Sequence, residues 1–568
     1  MVDVGISACE YDYVVVGGGL CGVALAAELS KKNPTKRVIL LEAGITLTYH
    51  SLTHAPLDCF RAHYSTMDWA YHTSTQHHLN NRVLYQGAGK GLGGGSAINY
   101  GMWTKGSKHD YDLWSKVVDD PKWGYDEFSP YLNGVECWLS KACQSPWLAN
   151  GKIVTASVSE SSDRRRYPLR EKMLEAWEAL DNNHITDPHD DESCGIREMV
   201  ENWDDGQRQI ANCVFDLSEV TVETSCMVQK IFLEGHPGNL HATGVLTEDG
   251  RTFFALNEVI LAAGAYRTPQ IMMLSGIGPE AALRGHGISP LVNLPGVGQN
   301  LHDHLVMSMC FKLKDANAGY AMGGSAGPWA DPAYALGLPC DWIVNERVPL
   351  PIIEEGIRKD LEVETSSSSD LDQHALELLA PSASHLEMFF VYRPAGRPLA
   401  NNHVPADGSH IGALVSNFRP ASRGSIGISS DNISHPPVVD PNYNATHVDR
   451  DMLRHGVRRV LKLVADSLSD VVEAELPPER SSELTCESSD EDIDARIRDQ
   501  GRSFFNAGGT ASMGRVVDTN LLVKGVNGLR IVDASVIPVP LAAHYQVVCY
   551  ALATKAADLI STFHATVN

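Results

Sequence analysis

Residues 17–22 of this 568-residue chain read GGGLCG, a G-x-G-x-x-G spacing suited to holding a pyrophosphate. Gly17 would permit a tight turn, Gly19 would let main chain approach phosphate oxygens, and Gly22 would let a following helix pack on the preceding strand. Glu42 follows Gly22 at the spacing of about 20 residues where an acid accepts hydrogen bonds from a ribose diol. A carboxylate there suits an unphosphorylated adenosine ribose, hence NAD or FAD rather than NADP. A second glycine cluster, GAGKGLGGGSAIN at 87–99, costs backbone entropy. Close approach of main chain to a flat ligand explains it best.

Three further patterns are weaker. His302 and His304 flank Asp303, but a metal site lacks a third ligand at suitable spacing, so structural roles are expected. Residues 323–327 fit G-x-S-x-G, yet the nucleophile elbow needs a buried strand before it and a helix after it. Here 315–322 and Pro328 read as loop, which argues against a hydrolase at Ser325. His77 and His78 read as a solvated loop.

The elements that must position these residues are legible around the first motif. Residues 11–16 (YDYVVV) read as a buried strand, 23–31 as helix and 37–41 (RVILL) as a second strand. Residues 259–263 read as another buried strand released at Gly264, with Thr268 as N-cap and Pro269 opening a short helix that stops at Ser275 and Gly276. Residues 385–392 and 411–417 are apolar enough for strands, and 448–468 shows helical spacing at Met452, Val457, Val460 and Leu463. Residues 354–372, which include four consecutive serines, and 476–491 (LPPERSSELTCESSDE) read as surface loops.

Lys and Arg total 46 against 70 Asp and Glu, for a net charge of −24. Nucleic-acid binding is not expected, since phosphate neutralisation needs clustered basic residues. No stretch approaches the roughly 18 apolar residues of a membrane span. The N-terminus lacks a basic-then-apolar leader and ATVN is not a peroxisomal tripeptide, so the expected location is cytoplasmic. Twelve cysteines without C-x-x-C read as reduced core thiols.

Longer motifs carry a resemblance. Residues 68–71 (DWAY), 87–103 (GAGKGLGGGSAINYGMW) and Gly106 look like the first signature of the glucose–methanol–choline (GMC) oxidoreductases, and 259–278 (VILAAGAYRTPQIMMLSGIG) resembles the second. LPGVGQNLHDH at 294–304, RPASRG at 419–424, DPNY at 440–443 and the run 528–560 also fit, in order over nearly the whole chain. The resemblance implies FAD. It also implies an α/β, Rossmann-like, doubly wound FAD-binding domain built discontinuously from 1–155, 212–305 and 506–568. The α+β substrate domain, with an antiparallel sheet, would take 156–211 and 306–505. By position in the family pattern, Gly17, Gly19, Leu20, Cys21, Gly22, Glu42, Ala43, Trp69, Leu92, Ser96, Asn99, Gly101 and Met102 would bind FAD. So would Val228 through its backbone at the adenine, Asp533, Ala534, His544, Gln546 and Val547.

The family usually carries a His in an H-x-x-G-T-x-x-M-G stretch, then a His or Asn roughly forty residues later. Here the first frame is NAGGTASMG, with Asn506 in the usual His place, and the second position is His544. Hydride transfer from an alcohol requires a base for the hydroxyl proton, and imidazole suits that near neutral pH. Asn cannot accept the proton, but its amide can donate a hydrogen bond. The expectation is an alcohol oxidoreductase with His544 as base and Asn506 orienting the substrate oxygen. A small organic alcohol would be the substrate, and oxygen or another molecule the electron acceptor. The alternative is a GMC-fold flavoprotein drifted to a lyase-like or cyclising reaction, motivated by Asn506.

Overall fold

The computed structural model describes residues 9–139, 151–187, 190, 192–324, 327–362, 377–395, 404–479 and 481–567. Two sheets organise it. In the first, of eight strands, Cys9–Val16 lies parallel to Val38–Leu41 on one side and to Thr252–Leu261 on the other. Val220–Glu223 extends the parallel order beyond Val38–Leu41, and Leu529–Ile531 pairs parallel with Thr252–Leu261. Val228–His236, Asn239–Thr247 and Thr252–Leu261 form an antiparallel meander. Val14, Val15, Ile39, Leu40, Val259 and Ile260 are fully buried, as expected of strands covered on both faces. Helix Leu20–Lys32 packs against the last helix, Tyr545–Val567, and the Cys21 thiol donates to the Cys549 carbonyl at 3.2 Å. The first glycine motif and the segment around His544 are thereby brought together from opposite ends of the chain.

The second sheet, of seven strands, is antiparallel. Its main order is Val472–Glu475, Leu305–Leu313, His410–Asn417, Leu386–Val391, Trp342–Glu346, Gly195–Glu198, and Arg502–Ser503 also pairs with Leu305–Leu313. Its two faces separate by the period of two. Leu386 and Val415 face helix His447–Ser467, so closely that a Cβ on Gly456 would meet Val415 Cγ1 at 2.5 Å and Leu386 Cδ1 at 3.0 Å. Phe389, Val391, Leu414, Ser308 and Cys310 line a cavity.

The two strands expected at 385–392 and 411–417 and the helix at 448–468 are present within a few residues. Three readings need correction. The helix after Gly264 starts there and runs to Leu274, with Pro269 inside it. Thr268 is not its cap; its hydroxyl donates to Asp533 Oδ2 at 2.6 Å. Pro269 has no N–H for the Ala265 carbonyl, and Thr510 Oγ1 donates to that carbonyl at 2.6 Å instead. Residues 350–362 are helix rather than loop, because Ile353 and Gly356 bury against the helix at 447–467, while 363–372 lies outside the described residues. In 476–491, Ser489 caps helix Asp490–Gln500 through a reciprocal pair with Asp492, and Leu476, Pro477 and Pro478 wall the cavity. Ser325 and Ala326 of the G-x-S-x-G stretch lie outside the described residues. His77 is exposed in a short 3-10 turn, and His78 meets Arg450 at 3.2 Å. Among the described residues no helix is long and apolar enough to cross a membrane.

Candidate active site

A cavity of about 720 Å³ takes walls from both sheets. That is within the usual size of a cofactor and substrate site. At one end stand the glycines. Gly17 has φ +106° and a Cβ there would lie 2.4 Å from the Ala262 carbonyl, so the turn requires glycine. Gly19 differs: a Cβ would meet nothing nearer than Gly94 Cα at 4.0 Å, whereas a Cβ on Gly94 would meet Gly19 Cα at 2.6 Å. Two bare backbone segments therefore stand edge to edge. The first amides of helix Leu20–Lys32 have no intrahelical acceptor, and Leu20 and Cys21 line the cavity. This is the shape and charge that a pyrophosphate needs.

Glu42 ends its strand at the cavity. Oε2 accepts from Gly18 N–H and Oε1 from Gly44 N–H, both at 2.7 Å. Burial pushes its carboxyl up, against those amides. Each oxygen keeps a second lone pair for a ligand hydroxyl. Ala43, Trp69, Asn99, Gly101, Met102, Val228, Asp533, Ala534, His544 and Gln546 line the same cavity. Asn99 Nδ2 donates to Gln546 Oε1 at 3.0 Å, which ties the second glycine cluster to the last helix. Asp533 accepts from Gly264 N–H and Thr268 Oγ and so fixes the turn after Leu261.

Four expected cofactor residues stand behind the wall. Gly22 serves packing, since a Cβ would fall 1.8 Å from the Gly17 carbonyl. Leu92 is buried, its Cδ1 beside Gly18. Ser96 Oγ donates to Gly93 O at 2.6 Å and accepts from Ala211 N–H at 2.9 Å, so it fastens the glycine run to a neighbouring segment. Val547 is fully buried in the core.

His544 also stands in the cavity wall. Its Nε2 meets Glu387 Oε1 at 3.0 Å, and its ring lies edge-on to Phe418 and Phe504. Among the described residues Nδ1 has no hydrogen-bond partner. With Nε2–H donated to the carboxylate, the Nδ1 lone pair is the basic one. The preceding segment is pinned: Ala542 N–H donates to Asp110 Oδ1 at 2.9 Å, and Arg419, from the RPASRG motif, pairs with the same oxygen. Burial pushes Asp110 up, but Arg419 and the Ala542 and Ser107 amides outweigh it and hold the carboxyl below its usual range. His544 N–H donates to Thr104 Oγ1 at 2.7 Å.

Asn506 lines the cavity, but its amide is largely engaged by backbone. Oδ1 accepts from Tyr545 N–H at 3.3 Å and Nδ2 donates to the Phe504 carbonyl at 3.0 Å. It thus serves an orphan amide at the start of the last helix from a separate segment, leaving one Nδ2–H for a ligand. Asp303 holds this loop, accepting from Asn506 N–H at 2.8 Å, Ser503 Oγ and Tyr443 OH. Burial raises its pKa to about 6. His302 is fixed by the Ile537 carbonyl and Tyr545 OH, and His304 stacks on Phe418.

Two site residues lacked a sequence signal. Glu387 sits in an apolar strand, HLEMFFVY, where a lone acid is the one available cue. His63 contacts Tyr85 OH at 2.8 Å and Tyr100 OH at 2.6 Å in the cavity wall, with burial lowering its pKa to about 4.

Models of the GMC oxidoreductase N- and C-terminal regions match residues 11–306 and 420–553. The GMC-type oxidoreductase acuG of Aspergillus aculeatus is 35% identical over 97% of this chain and 99% of its own. The alcohol dehydrogenase [acceptor] of Pseudomonas putida is 28% identical over 97% and 95%. A variant of Aspergillus oryzae formate oxidase superposes with a TM-score of 0.84 at 26% identity, covering 99% of each chain.

Proposed function

This chain belongs to the GMC oxidoreductase family, and from that premise we propose that it oxidises an organic alcohol to a carbonyl with His544 as the base. FAD is its cofactor and, when bound, accepts the hydride. Gly17, Gly19, Leu20, Cys21 and Glu42 would hold the adenosine and pyrophosphate, with Val228 at the adenine. Trp69, Asn99, Gly101, Met102, Asp533, Ala534 and Gln546 would hold the remainder.

The observation that supports this reading is the imidazole of His544 in the cavity wall with its Nε2 at 3.0 Å from a buried carboxylate. Donation to Glu387 fixes the tautomer and leaves Nδ1 to take the hydroxyl proton. The imidazolium so formed keeps a carboxylate partner. Asn506 joins the loop at 504–506 to the helix behind His544 and offers its remaining N–H to the substrate oxygen. The lyase-like alternative drew its motive from Asn506, and the hydrogen bonds of that side chain give it an occupation compatible with alcohol oxidation.

The division of the chain is part of the proposal: FAD-binding 1–155, 212–305 and 506–568, and substrate-binding 156–211 and 306–505. Support comes from the strands. The eight-stranded sheet draws on 9–16, 38–41, 220–261 and 526–531, and the seven-stranded sheet on 195–198, 305–346, 386–417, 472–475 and 502–503. The small sheet of Glu136–Trp138, Ile153–Ser157 and Val200–Glu201 straddles the boundary at 155.

Anaerobic mixing of FAD-loaded protein with a panel of primary alcohols tests the reading. Bleaching of the visible flavin absorbance supports it, and admission of air then reports whether oxygen restores the colour. A flavin that no alcohol bleaches refutes it.

A further inference from the structure

The face of the seven-stranded sheet that looks into the cavity is ordered by charge. Register places Glu387 opposite Ser416, Ser416 opposite Val306, and Val306 opposite Arg502. Glu387 and Arg502 therefore share one row and one face, three strand spacings or about 14 Å of backbone apart. Glu387 engages His544. Arg502, at the far margin, lines the cavity, and among the described residues its hydrogen bonds go to neutral groups, Ser308 Oγ at 3.2 Å and the Ser503 carbonyl at 3.3 Å.

A second guanidinium joins it. Arg393 lines the same cavity, 3.9 Å above the Phe60 ring, and its buried Nε has no hydrogen-bond partner among the described residues. Both guanidiniums lie within electrostatic reach of Tyr100, whose ring is 5.3 Å from that of Phe60. Burial depresses the pKa of both, yet a guanidinium keeps its charge. Neither meets a carboxylate among the described residues, although the chain as a whole carries a charge of −24. The acids that line the cavity are engaged elsewhere, Glu475 with Arg496, and Glu42 and Asp533 with backbone amides of the glycine turns, while Glu387 is buried behind the wall against His544. Two half-buried cations that share a cavity without a counter-ion among the described residues are a ready site for a ligand's anion. The wall between them and His544 is apolar, with Phe389, Leu414 and Phe504.

We propose that the alcohol oxidised here carries a carboxylate, held by Arg502 and Arg393, and that a ring-sized apolar body separates this carboxylate from the carbinol at His544. The inference rests on the alcohol-oxidation reading and specifies its substrate class. Bidentate recognition by a guanidinium fits a carboxylate.

The test uses FAD-loaded protein with 4-(hydroxymethyl)benzoate and its methyl ester, which share ring and carbinol and differ in charge. The acid is expected to exceed the ester at least tenfold in kcat/KM, and Arg502→Met to lower that ratio at least tenfold, with Arg502→Lys keeping part of it. Calorimetric binding of 4-formylbenzoate and its methyl ester to the same protein gives a readout independent of turnover. Ester equal to acid in both measurements overturns the carboxylate assignment and leaves alcohol oxidation standing. If neither alcohol is oxidised, yet 4-formylbenzoate binds more tightly than its ester and loses that margin in Arg502→Met, the carboxylate site stands and alcohol oxidation falls. Absence of both oxidation and binding overturns both. Should Arg502→Met fail to retain FAD, Arg393→Met and Arg502→Lys are read on the same ratio with the same consequences.

Discussion

Replacing Glu387 by Leu removes the acceptor of the His544 Nε2–H while leaving the imidazole in place. A hydrogen bond to a charged group contributes about 1.5–3 kcal/mol. A charge pair near 4 Å at an effective dielectric of 20 gives an upper bracket of about 4 kcal/mol. Taking about 2–3 kcal/mol as lost when the imidazolium forms, the rate of flavin reduction should fall roughly 30- to 150-fold. Glu387→Gln retains an acceptor without the charge and should fall by about tenfold. Folding should lose no more than about 1–3 kcal/mol, the cost of leaving the His544 Nε2–H without its acceptor, offset in part because Glu387 Oε2 has no partner among the described residues. The assay is anaerobic stopped-flow bleaching at saturating alcohol, with flavin content and Tm measured alongside. A Leu variant that holds full flavin and reduces it within threefold of the wild-type rate would refute the reasoning that Glu387 sustains the base.

Gly19→Ala should leave the unfolding free energy of the apoprotein within about 1 kcal/mol of wild type, because its Cβ has open space, yet lower FAD retention at least tenfold as read from the flavin-to-protein absorbance ratio. Gly22→Ala should instead cost the fold more than about 3 kcal/mol, seen as loss of soluble protein, since its Cβ falls 1.8 Å from the Gly17 carbonyl. Thr510→Val should lower stability by about 1–2 kcal/mol in urea unfolding, as it strands the Ala265 carbonyl that Pro269 leaves open. The raised pKa of Asp303 has a stability consequence of definite sign. A carboxyl lifted from 3.8 to about 6 by burial contributes stability that is full below pH 4 and lost as pH rises through 6, about 3 kcal/mol in all. Asp303→Asn should therefore gain on wild type in Tm as pH goes from 4 to 8, and a constant difference across that range would contradict the burial argument.

The parts of the site that repeat a backbone requirement were readable in advance. The glycines at 17, 19 and 22 and the acid at 42 answer to sterics and hydrogen-bond spacing within one short unit, and the strands at 385–392 and 411–417 announced themselves by apolar content. What the chain assembles from distant segments was not readable. Glu387 reaches His544 across 157 residues, and Asn506 reaches Tyr545 across 39. Pairing register, not local pattern, puts Arg502 in one row with Glu387. The misplaced helix start at Thr268 has the same origin: its hydroxyl has a better partner in Asp533, brought in from 265 residues away, than at the helix terminus. Ser96 and Val547 fell outside the cavity because position in a family pattern identifies a segment without telling which side of it faces the ligand.

The role of His544 is tested most directly by His544→Ala, loaded with FAD and mixed anaerobically with an alcohol that bleaches the wild-type flavin. General-base catalysis of this kind is worth about 10²- to 10⁴-fold. The bleaching rate should drop by that factor while flavin content and Tm stay near wild type. Bleaching at the wild-type rate by a fully flavin-loaded variant would contradict the account.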